Sequence, residues 1–261
     1  MSSSLPGFQV DQAKKAVAAL LKYIGKQHED ANDLLEEDEM IYLLIALKKI
    51  PQGPRKDKPI RLPVPHSLYD FDGAEVCLIV KDHKGEGHKA AKERVKQQQI
   101  AKVSKVIGLS KLKTKYEPHE AKRQLCGAYD LFVADERIIP SLPKLLGKTF
   151  FKKKKQPIPV DLRGSDWAAQ IQKARNATYM YTSAGSSINI RVARSSFTDK
   201  QCLENVVKVL AEAMKHIPKK WANVQAVYLK TAESVSLPIY QQLPDQTLRI
   251  KGAKAAQVEA T

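Results

Sequence analysis

The residues with the most obvious chemical potential in this chain are lysines and arginines, the side chains that contact phosphate groups. The 261 residues include 44 Lys and Arg against 28 Asp and Glu, a formal net charge of +16. From Lys84 to Arg123, twelve Lys or Arg stand against four Glu, and further lysines follow at 144, 148 and 152–155. A single basic run is as consistent with a solvated surface as with a binding site. Several basic runs in the middle third of the chain predict a polyanionic partner, and nucleic acid is favoured.

Two aromatic residues, Phe150 and Phe151, directly precede the lysines at 152–155. Rings beside ammonium groups suit single-stranded RNA, because bases stack on the rings while phosphates meet the charges. An equal alternative is that these rings anchor the segment in a core beside a solvated loop. The sequence leaves both interpretations open.

One loop, DHKGEGH from Asp82 to His88, follows a predicted strand and precedes a predicted helix, the usual place of a dinucleotide-binding loop. It has two of the three glycines of that fingerprint, and no acidic residue follows at a convincing strand end about 20 residues later. A bound nucleotide, and with it a nucleotide-dependent enzyme, is therefore a distant alternative. His83, Glu86 and His88 do not predict a metal site, because the glycines disfavour the helix that such spacing requires.

Catalytic signatures are otherwise missing from the sequence. No serine lies in a nucleophile elbow, and the three cysteines are far apart, so no zinc-type pairing is predicted and a reducing compartment fits best. Cys77 and Cys202 lie in apolar patterns typical of a core. We predict no enzyme, no cofactor, no metal and no small-molecule substrate. A membrane partner is not predicted either, because no apolar run approaches the roughly 20 residues of a span and no secretory signal is visible.

The first part of the chain must form a helix and two extended segments. Apolar residues recur on one face from Val10 to Ile24, and Gly25 is a plausible helix end. The acidic run from Glu29 to Glu39 carries seven acids and no base, and IYLLIAL (41–47) follows as a stretch rich in strand formers. KPIRLPVP (58–65) predicts an edge strand, because its prolines cannot donate ladder hydrogen bonds.

A different pattern begins at Gly73. VCLIV (76–80) is continuously apolar, as in a strand covered on both faces. A helix over 89–98, a strand over 103–107, a helix near 120–125 and a strand over 129–134 follow. This alternation predicts a βαβ unit with a parallel sheet.

The pattern changes again from Trp167. SINIRV (187–192) alternates apolar and polar residues, so one face of this strand is predicted to be wet. Thr198 and Gln201 form a capping-box signature ahead of an amphipathic helix. NVQAVYLK (223–230) is the last predicted strand, and residues 241–261 are predicted to be a disordered tail.

Four segments together resemble the ribosomal protein L-one family: KKIPQGPRKDKPIRLPVP, YDLFVADERIIPSLPKLLGK, SINIRVARSSFTDKQCLENV and NVQAVYLK with its turn. The resemblance covers about residues 8–240. It implies an α/β fold of two domains: a discontinuous RNA-binding α+β first domain over 1–72 and 162–240, interrupted by a strongly basic, Rossmann-like βαβ insertion over 73–161.

The resemblance also implies RNA-contacting residues. On exposed positions of the first domain these are Lys48, Lys49, Arg191, Arg194, Thr231 and Ser234, and the insertion adds Lys152, Lys153, Lys154 and Lys155. Ribosomal members carry a Ser-Thr-Met-Gly motif in the turn after the last strand, where this chain has Thr231, Ala232, Glu233 and Ser234. Glu37 stands where bacterial members present an aromatic residue. A carboxylate near a phosphate lowers affinity, so the stalk site is predicted to be altered.

The segment SVSLPIY (234–240) is instead similar to the nucleolar branch of the family, whose members help to mature pre-ribosomal particles. The predicted function is therefore that of a non-catalytic ribosome biogenesis factor in the nucleolus. Its predicted partners are ribosomal RNA or its precursor and other pre-ribosome proteins. The alternative is a structural rRNA-binding protein of the large-subunit stalk in cytoplasmic ribosomes.

Overall fold

A computed structural model describes residues 7–31, 38–51, 58–69, 75–82, 88–98, 100, 103–153, 155–182 and 185–242. Eight helices are formed in these ranges: α1 (Val10–Ala31), α2 (Lys89–Gln97), α3 (Leu109–Thr114), α4 (His119–Ala128), α5 (Leu142–Leu146), α6 (Lys148–Lys152), α7 (Trp167–Arg175) and α8 (Asp199–His216). The ten strands are β1 (Met40–Leu47), β2 (Ile60–Pro63), β3 (Val76–Val80), β4 (Val103–Gly108), β5 (Leu131–Asp135), β6 (Ile158–Val160), β7 (Ala177–Met180), β8 (Ser187–Arg194), β9 (Val224–Lys230) and β10 (Leu237–Gln241).

An antiparallel sheet of four strands has the order β10-β9-β1-β8. Leu43, Ile45 and Leu47 of β1 belong to one core cluster with apolar residues of α1 and α8, so these two helices cover one face of the sheet. The opposite face carries the alternate residues, and in β8 these include the exposed Ser187 and Asn189. The wet face predicted from the alternation in SINIRV is therefore confirmed.

A two-stranded pair, β2 with β7, joins the segments before and after the middle of the chain. Ile60 pairs with Met180 and Pro63 with Ala177, and β2 has no second strand partner in the described part of the chain. This confirms the edge-strand prediction, because a proline is tolerated where one side of the strand is unpaired. The strands that lie between β2 and β7 in the chain, β3 to β6, form the second sheet.

That second sheet is parallel, with the order β4-β3-β5-β6. All five residues of β3 are buried. Val76, Leu78 and Val80 face a core shared with α2 and α7. Cys77 and Ile79 face a second core with α3, α4 and α6. The mixed α/β fold with a parallel sheet is thus as predicted, and β6 is a fourth strand beyond the predicted elements. The exact domain limits at 72/73 and 161/162 stay a prediction.

Two boundary predictions are wrong. Helix α1 continues through Gly25 to Ala31, because one glycine costs a helix only about 1 kcal/mol and does not by itself end it. β9 is not the last strand: β10 pairs with it, and Pro238 is accommodated because β10 lies at the sheet edge. Order also continues into the predicted tail, since the Gln242 amide donates to the Gln225 carbonyl oxygen at 2.8 Å. The rest of that tail, from 243, lies outside the described residues.

The predicted start of α8 is confirmed. The Thr198 hydroxyl accepts a hydrogen bond from the Gln201 amide, and the Gln201 side chain accepts one from the Thr198 amide. These two hydrogen bonds satisfy two backbone N–H groups at the start of the helix. Cys202, one turn into the helix, is buried in the core beneath the antiparallel sheet, as predicted.

Candidate nucleic-acid interface

The uncovered face of the antiparallel sheet carries a row of cationic and aromatic residues. Tyr42 of β1 pairs with Arg191 of β8 on one side and with Lys230 of β9 on the other. Directly paired residues on one face have Cβ atoms about 4.5–5.5 Å apart, so the three side chains are neighbours. A guanidinium, a phenol and an ammonium thus lie side by side on one sheet face.

The next row along this face is less charged. Leu44 of β1 pairs with Asn189 of β8 and Tyr228 of β9. The two rows arise from strand geometry, because alternate residues of each strand point to the same face. The sheet therefore presents positive charge at the end where β1 begins and amide and aromatic groups further along.

The charged row opens into a cleft between the two sheets. A cavity of about 520 Å³ lies there, with contributions from β1, β7, β8, β9 and the segment around α6 and β6. Its lining residues are Tyr42, Tyr69, Phe151, Gln156, Ile158, Thr178, Tyr179, Tyr181, Asn189, Arg191, Lys230, Thr231 and Ala232. A smaller cavity of about 210 Å³ shares Tyr69, Gln156 and Arg191 with it and adds Lys155 and Arg194. The cleft is therefore lined by aromatic rings with two cations and two amides.

Tyr69 and Tyr179, two buried tyrosines of this cleft, stay neutral. Burial raises the pKa of Tyr69, and the nearby Arg191 offsets that rise only in part. Burial also raises the pKa of Tyr179, whose hydroxyl donates to the Pro159 carbonyl oxygen at 3.4 Å. Because neither phenol ionises near neutral pH, the positive charge of Arg191 and Lys230 is not cancelled by a phenolate.

Lys48 and Lys49 lie at the other end of the sheet. They are exposed and directly follow Leu47, the last residue of β1, whereas Tyr42 lies near its start. Six residues of strand separate Tyr42 from Lys48, about 20 Å. Asn223 holds their backbone: its carbonyl oxygen accepts from the Lys48 amide at 2.8 Å, and its side chain bonds the Lys49 amide and carbonyl at 3.0 and 3.1 Å.

Arg194 lies closer to the cleft but is engaged within the fold. Its Nε lies 3.0 Å from Oδ2 of Asp38, and only a quarter of its side chain is exposed. Asp38 also accepts hydrogen bonds from the hydroxyls of Ser195 and Ser196. The charge of Arg194 is therefore matched by a carboxylate that fastens the start of β1 to the end of β8.

The turn from 231 to 234 is closed by its own side chains. The Thr231 amide donates to the Ser234 hydroxyl at 2.8 Å, and the Ser234 amide donates to the Thr231 hydroxyl at 3.1 Å. Thr231 is fully buried and Ser234 is 7% exposed, so the expectation that both are exposed is wrong. The chain leaves β9 and returns as β10 here, and its buried amides need partners. Ala232 and Glu233 form the exposed tip.

The lysines at 152–155 divide into two groups. Lys152 and Lys153 are exposed at the end of α6. Lys155 Nζ instead donates to the carbonyl oxygens of Tyr129 and Cys126, at 2.8 and 3.3 Å, so it holds the chain just beyond α4. Lys154 lies outside the described residues, as does Glu37.

The two phenylalanines that precede these lysines differ in the same way. Phe150 is fully buried and packs edge-to-face on Phe132, with ring centroids 4.9 Å apart. Phe151 is 39% exposed and lines the cleft cavity. The core-anchor interpretation thus holds for Phe150, and only Phe151 presents a ring to solvent.

The sequence missed several residues of the cleft. Tyr42, Tyr69 and Tyr181 come from three separate elements, and no spacing in the sequence connects them. The signal that could have pointed to Lys230 is its place as the cationic end of the apolar strand NVQAVYLK. Its level with Arg191 follows only from the pairing of both residues with Tyr42 on the strand between them.

The loop considered for nucleotide binding has its first residue engaged in the fold. A carboxylate oxygen of Asp82 accepts the Ser110 amide at the start of α3, and a Cβ at Gly108 would collide with that carboxylate. Residues 83–87 lie outside the described chain. Within the described ranges, no three His, Cys, Asp or Glu side chains cluster to hold a metal ion. No described helix is long and apolar enough to cross a membrane.

Proteins named for ribosome biogenesis or for the L1 domain are similar in sequence to most of this chain. The chain is 34% identical over 244 residues to a Schizosaccharomyces pombe protein named for ribosome biogenesis, covering 87% of this chain and 64% of that one. It is 30% identical over 234 residues to Ribosomal L1 domain-containing protein 1 of Mus musculus, covering 88% and 51%. This chain thus spans between half and two thirds of the length of these two relatives.

A more distant relative is a protein of the ribosome itself. Large ribosomal subunit protein uL1 of Neurospora crassa is 25% identical over 235 residues, covering 87% of this chain and all of that one. The family model described as Ribosomal protein L1p/L10e matches residues 20–235, a range that includes β1, β8 and β9 of the antiparallel sheet, the inserted parallel sheet and the residues that line the cleft between them. The chain belongs to the ribosomal protein L1p/L10e family.

Proposed function

We propose that this chain is an RNA-binding ribosome biogenesis factor that acts on pre-ribosomal particles in the nucleolus and binds precursor rRNA without catalysis. The observation that carries the proposal is the row of Arg191, Tyr42 and Lys230 at the mouth of an aromatic cleft. Tyr42 is itself buried, but Phe151 and Tyr181 line the same cleft and are exposed. Cations beside exposed aromatic residues suit RNA, because phosphates and bases are contacted together. The net charge of +16 adds long-range attraction to a polyanion.

The choice of a biogenesis role rests on the relatives and on the turn. The two relatives with identities of 34% and 30% are named for ribosome biogenesis and for the L1 domain, whereas the uL1 relative has 25%. Glu233 is exposed at the tip of the turn where the ribosomal motif has methionine. A carboxylate at that tip opposes phosphate contact and thus favours a different RNA site from that of the stalk.

A structural role in the mature stalk is the second candidate, and the full-length match to a uL1 protein favours it. The two roles differ in where the protein resides. Sedimentation of the tagged protein should place it with precursor particles in nuclear extracts if it is a biogenesis factor. Stable association with translating polysomes would instead support the stalk role and contradict ours.

Direct RNA binding is tested by removing one positive charge from the row. Lys230→Gln should weaken binding of precursor rRNA fragments and lower the slope of log affinity against log salt by about 0.7 for one lost phosphate contact on single-stranded RNA. Lys22→Gln, an exposed position on α1, is the matched control. Cross-linking the bound RNA then identifies the precursor segment. An unchanged protein that binds no RNA at any salt concentration would contradict the proposal.

A further inference from the structure

We infer that the cleft cavity receives one unpaired nucleotide of the RNA, with its base stacked on the exposed rings of Phe151 and Tyr181. This inference rests on the proposed RNA-binding function and specifies its ligand. The cavity includes part of the sheet face and of the turn at Thr231 and Ala232, and the inference adds the two exposed aromatic residues of its lining.

The first observation is the exposure of these two rings. Phe151 is 39% exposed and Tyr181 is 42% exposed, while Tyr42, Tyr69 and Tyr179 are each less than 10% exposed. Exposed aromatic side chains occur singly on many surfaces. Here two of them, from α6 and from the end of β7, line one cavity. Phe151 and Tyr181 are therefore the aromatic residues of this lining that have the most surface left for a ligand.

The segments that carry these rings are held in place. Phe150, the neighbour of Phe151, is buried against Phe132 and anchors α6 to the parallel sheet. Tyr181 directly follows β7, whose four residues pair with β2 and are buried. Because both rings project from anchored segments, stacking on them costs little additional ordering.

The size and polar lining of the cavity suit a nucleotide. Its volume of about 520 Å³ falls within the range of about 300–1,000 Å³ typical of small-ligand sites. Gln156 and Asn189 supply amide groups, which both donate and accept, and these match the edges of an unpaired base. A buried duplex base pair would not fit such a site, because its edges are already paired and its faces are stacked.

The charge of the lining selects an anionic ligand. Arg191 and Lys230 are its two cations, and no acidic side chain lines the cavity in the described part of the chain. Arg191 also lines the adjoining smaller cavity, where the one acid, Asp130, lies 3.9 Å from Lys155 Nζ. The nucleotide's phosphate is therefore expected beside the cations of the larger cavity, whose described lining holds no acid. Lys152 and Lys153, exposed directly after Phe151, continue the positive surface for the adjacent backbone.

The test uses the whole chain and short single-stranded RNA carrying one 2-aminopurine, whose fluorescence is quenched when the base stacks. The double variant Phe151→Leu/Tyr181→Leu should bind about tenfold or more weakly, consistent with the loss of stacking on aromatic rings. The salt dependence of binding should not change, because no cation is removed. Tyr23→Leu, on α1 and also 42% exposed, is the matched control.

A rescue variant separates stacking from general damage. Phe151→Trp keeps an aromatic face and should retain both affinity and quenching, whereas Phe151→Leu should lose part of both. Circular dichroism and the unfolding midpoint should match those of the unchanged protein, since both rings are exposed.

The outcomes distinguish this inference from the function on which it rests. If the unchanged protein binds RNA and Lys230→Gln weakens it, but the double ring variant binds and quenches as before, the nucleotide pocket is wrong and the function stands. If the unchanged protein binds no RNA, both are wrong. Preferential binding of fully paired RNA over single strands would also overturn the pocket.

Discussion

The two sheets of this protein, one antiparallel and one parallel, are covered differently. The parallel sheet has helices on both faces, and every residue of its central strand β3 is buried. The antiparallel sheet has α1 and α8 on one face only, and the other face carries Tyr42, Arg191 and Lys230. A fully covered sheet contributes to stability, whereas a half-covered sheet can also present side chains to a partner.

This difference explains where the candidate chemistry lies. The strongly basic insertion was expected to supply RNA contacts. Its sheet is enclosed, and exposed lysines such as Lys92, Lys96 and Lys113 lie on the helices that cover it. The antiparallel sheet is less basic in sequence but supplies the row at the cleft mouth. The charge of the insertion is therefore spread over the outside of its helices, whereas Arg191 and Lys230 lie together at one cavity.

The largest expected effect is a difference in stability between variants of the enclosed sheet and of the half-covered sheet. Leu78→Ala in β3 should lower the free energy of unfolding by about 2–5 kcal/mol, because it opens a cavity in a fully enclosed core. Leu44→Ala, on the uncovered face of β1 and partly exposed, should cost about 1 kcal/mol or less. Urea unfolding of the two variants measures the difference. Equal losses would show that the second face of the antiparallel sheet is as enclosed as β3.

A smaller effect is expected in the turn beside the row. Ser234→Ala removes the hydroxyl that accepts the buried Thr231 amide, and should lower the free energy of unfolding by about 1–3 kcal/mol. Glu233→Ala at the exposed tip should stay within about 0.5 kcal/mol and serves as the control. Thermal or urea unfolding again gives the measurement. A neutral Ser234→Ala would mean that water replaces the hydroxyl and that the turn is open.

A third prediction compares two groups of lysines in the insertion, those exposed to solvent and the one bound to backbone oxygens. Lys152→Ala/Lys153→Ala should leave stability unchanged but flatten the salt dependence of RNA binding by about 0.7 for each lost phosphate contact. Lys155→Ala should do the reverse, lowering stability by about 1 kcal/mol because the Tyr129 and Cys126 carbonyl oxygens lose a donor. Fluorescence polarisation across a salt series and urea unfolding separate the two. A flattened slope for Lys155→Ala would contradict its structural assignment.

The smallest effect concerns the thiols enclosed by each sheet. Burial raises the pKa of Cys77 from 9.0 to about 12 and that of Cys202 from 9.0 to about 11. Both thiols should therefore resist iodoacetamide at pH 8 in the folded protein and react in concentrated urea. Mass spectrometry of the alkylated protein reads this directly, and labelling of native Cys77 would contradict its enclosure.

The same pKa values set a direction for stability at high pH. In the unfolded chain these thiols ionise from about pH 9, while in the folded protein they stay protonated up to the raised values. Ionisation thus favours the unfolded state, and stability present below pH 9 should be lost as the pH rises toward 11 and 12. The Cys202→Ala variant should lose less stability over this interval than the unchanged protein.

The sequence by itself determined several of the main elements and the family. Continuous burial of β3 followed from its five apolar residues, the wet face of β8 from its alternation, and the start of α8 from Thr198 and Gln201. These features depend on residues near one another in the chain, so local periodicity and capping are sufficient to predict them. The predictions at Gly25 and Pro238 were wrong for the same reason. Each residue weakens a helix or a strand locally, but packing elsewhere outweighs this local cost.

The tertiary structure alone decided which candidate residues meet. Lys48 and Lys49 are separated from Arg191 by the length of β1. Thr231 and Ser234 bond each other rather than facing solvent, and the ammonium of Lys155 donates to backbone oxygens. The cleft joins Tyr42, Phe151, Tyr181 and Lys230 from four elements far apart in the chain. Such a site depends on how two sheets pack and which face stays uncovered, and long-range packing leaves no periodic trace in the sequence.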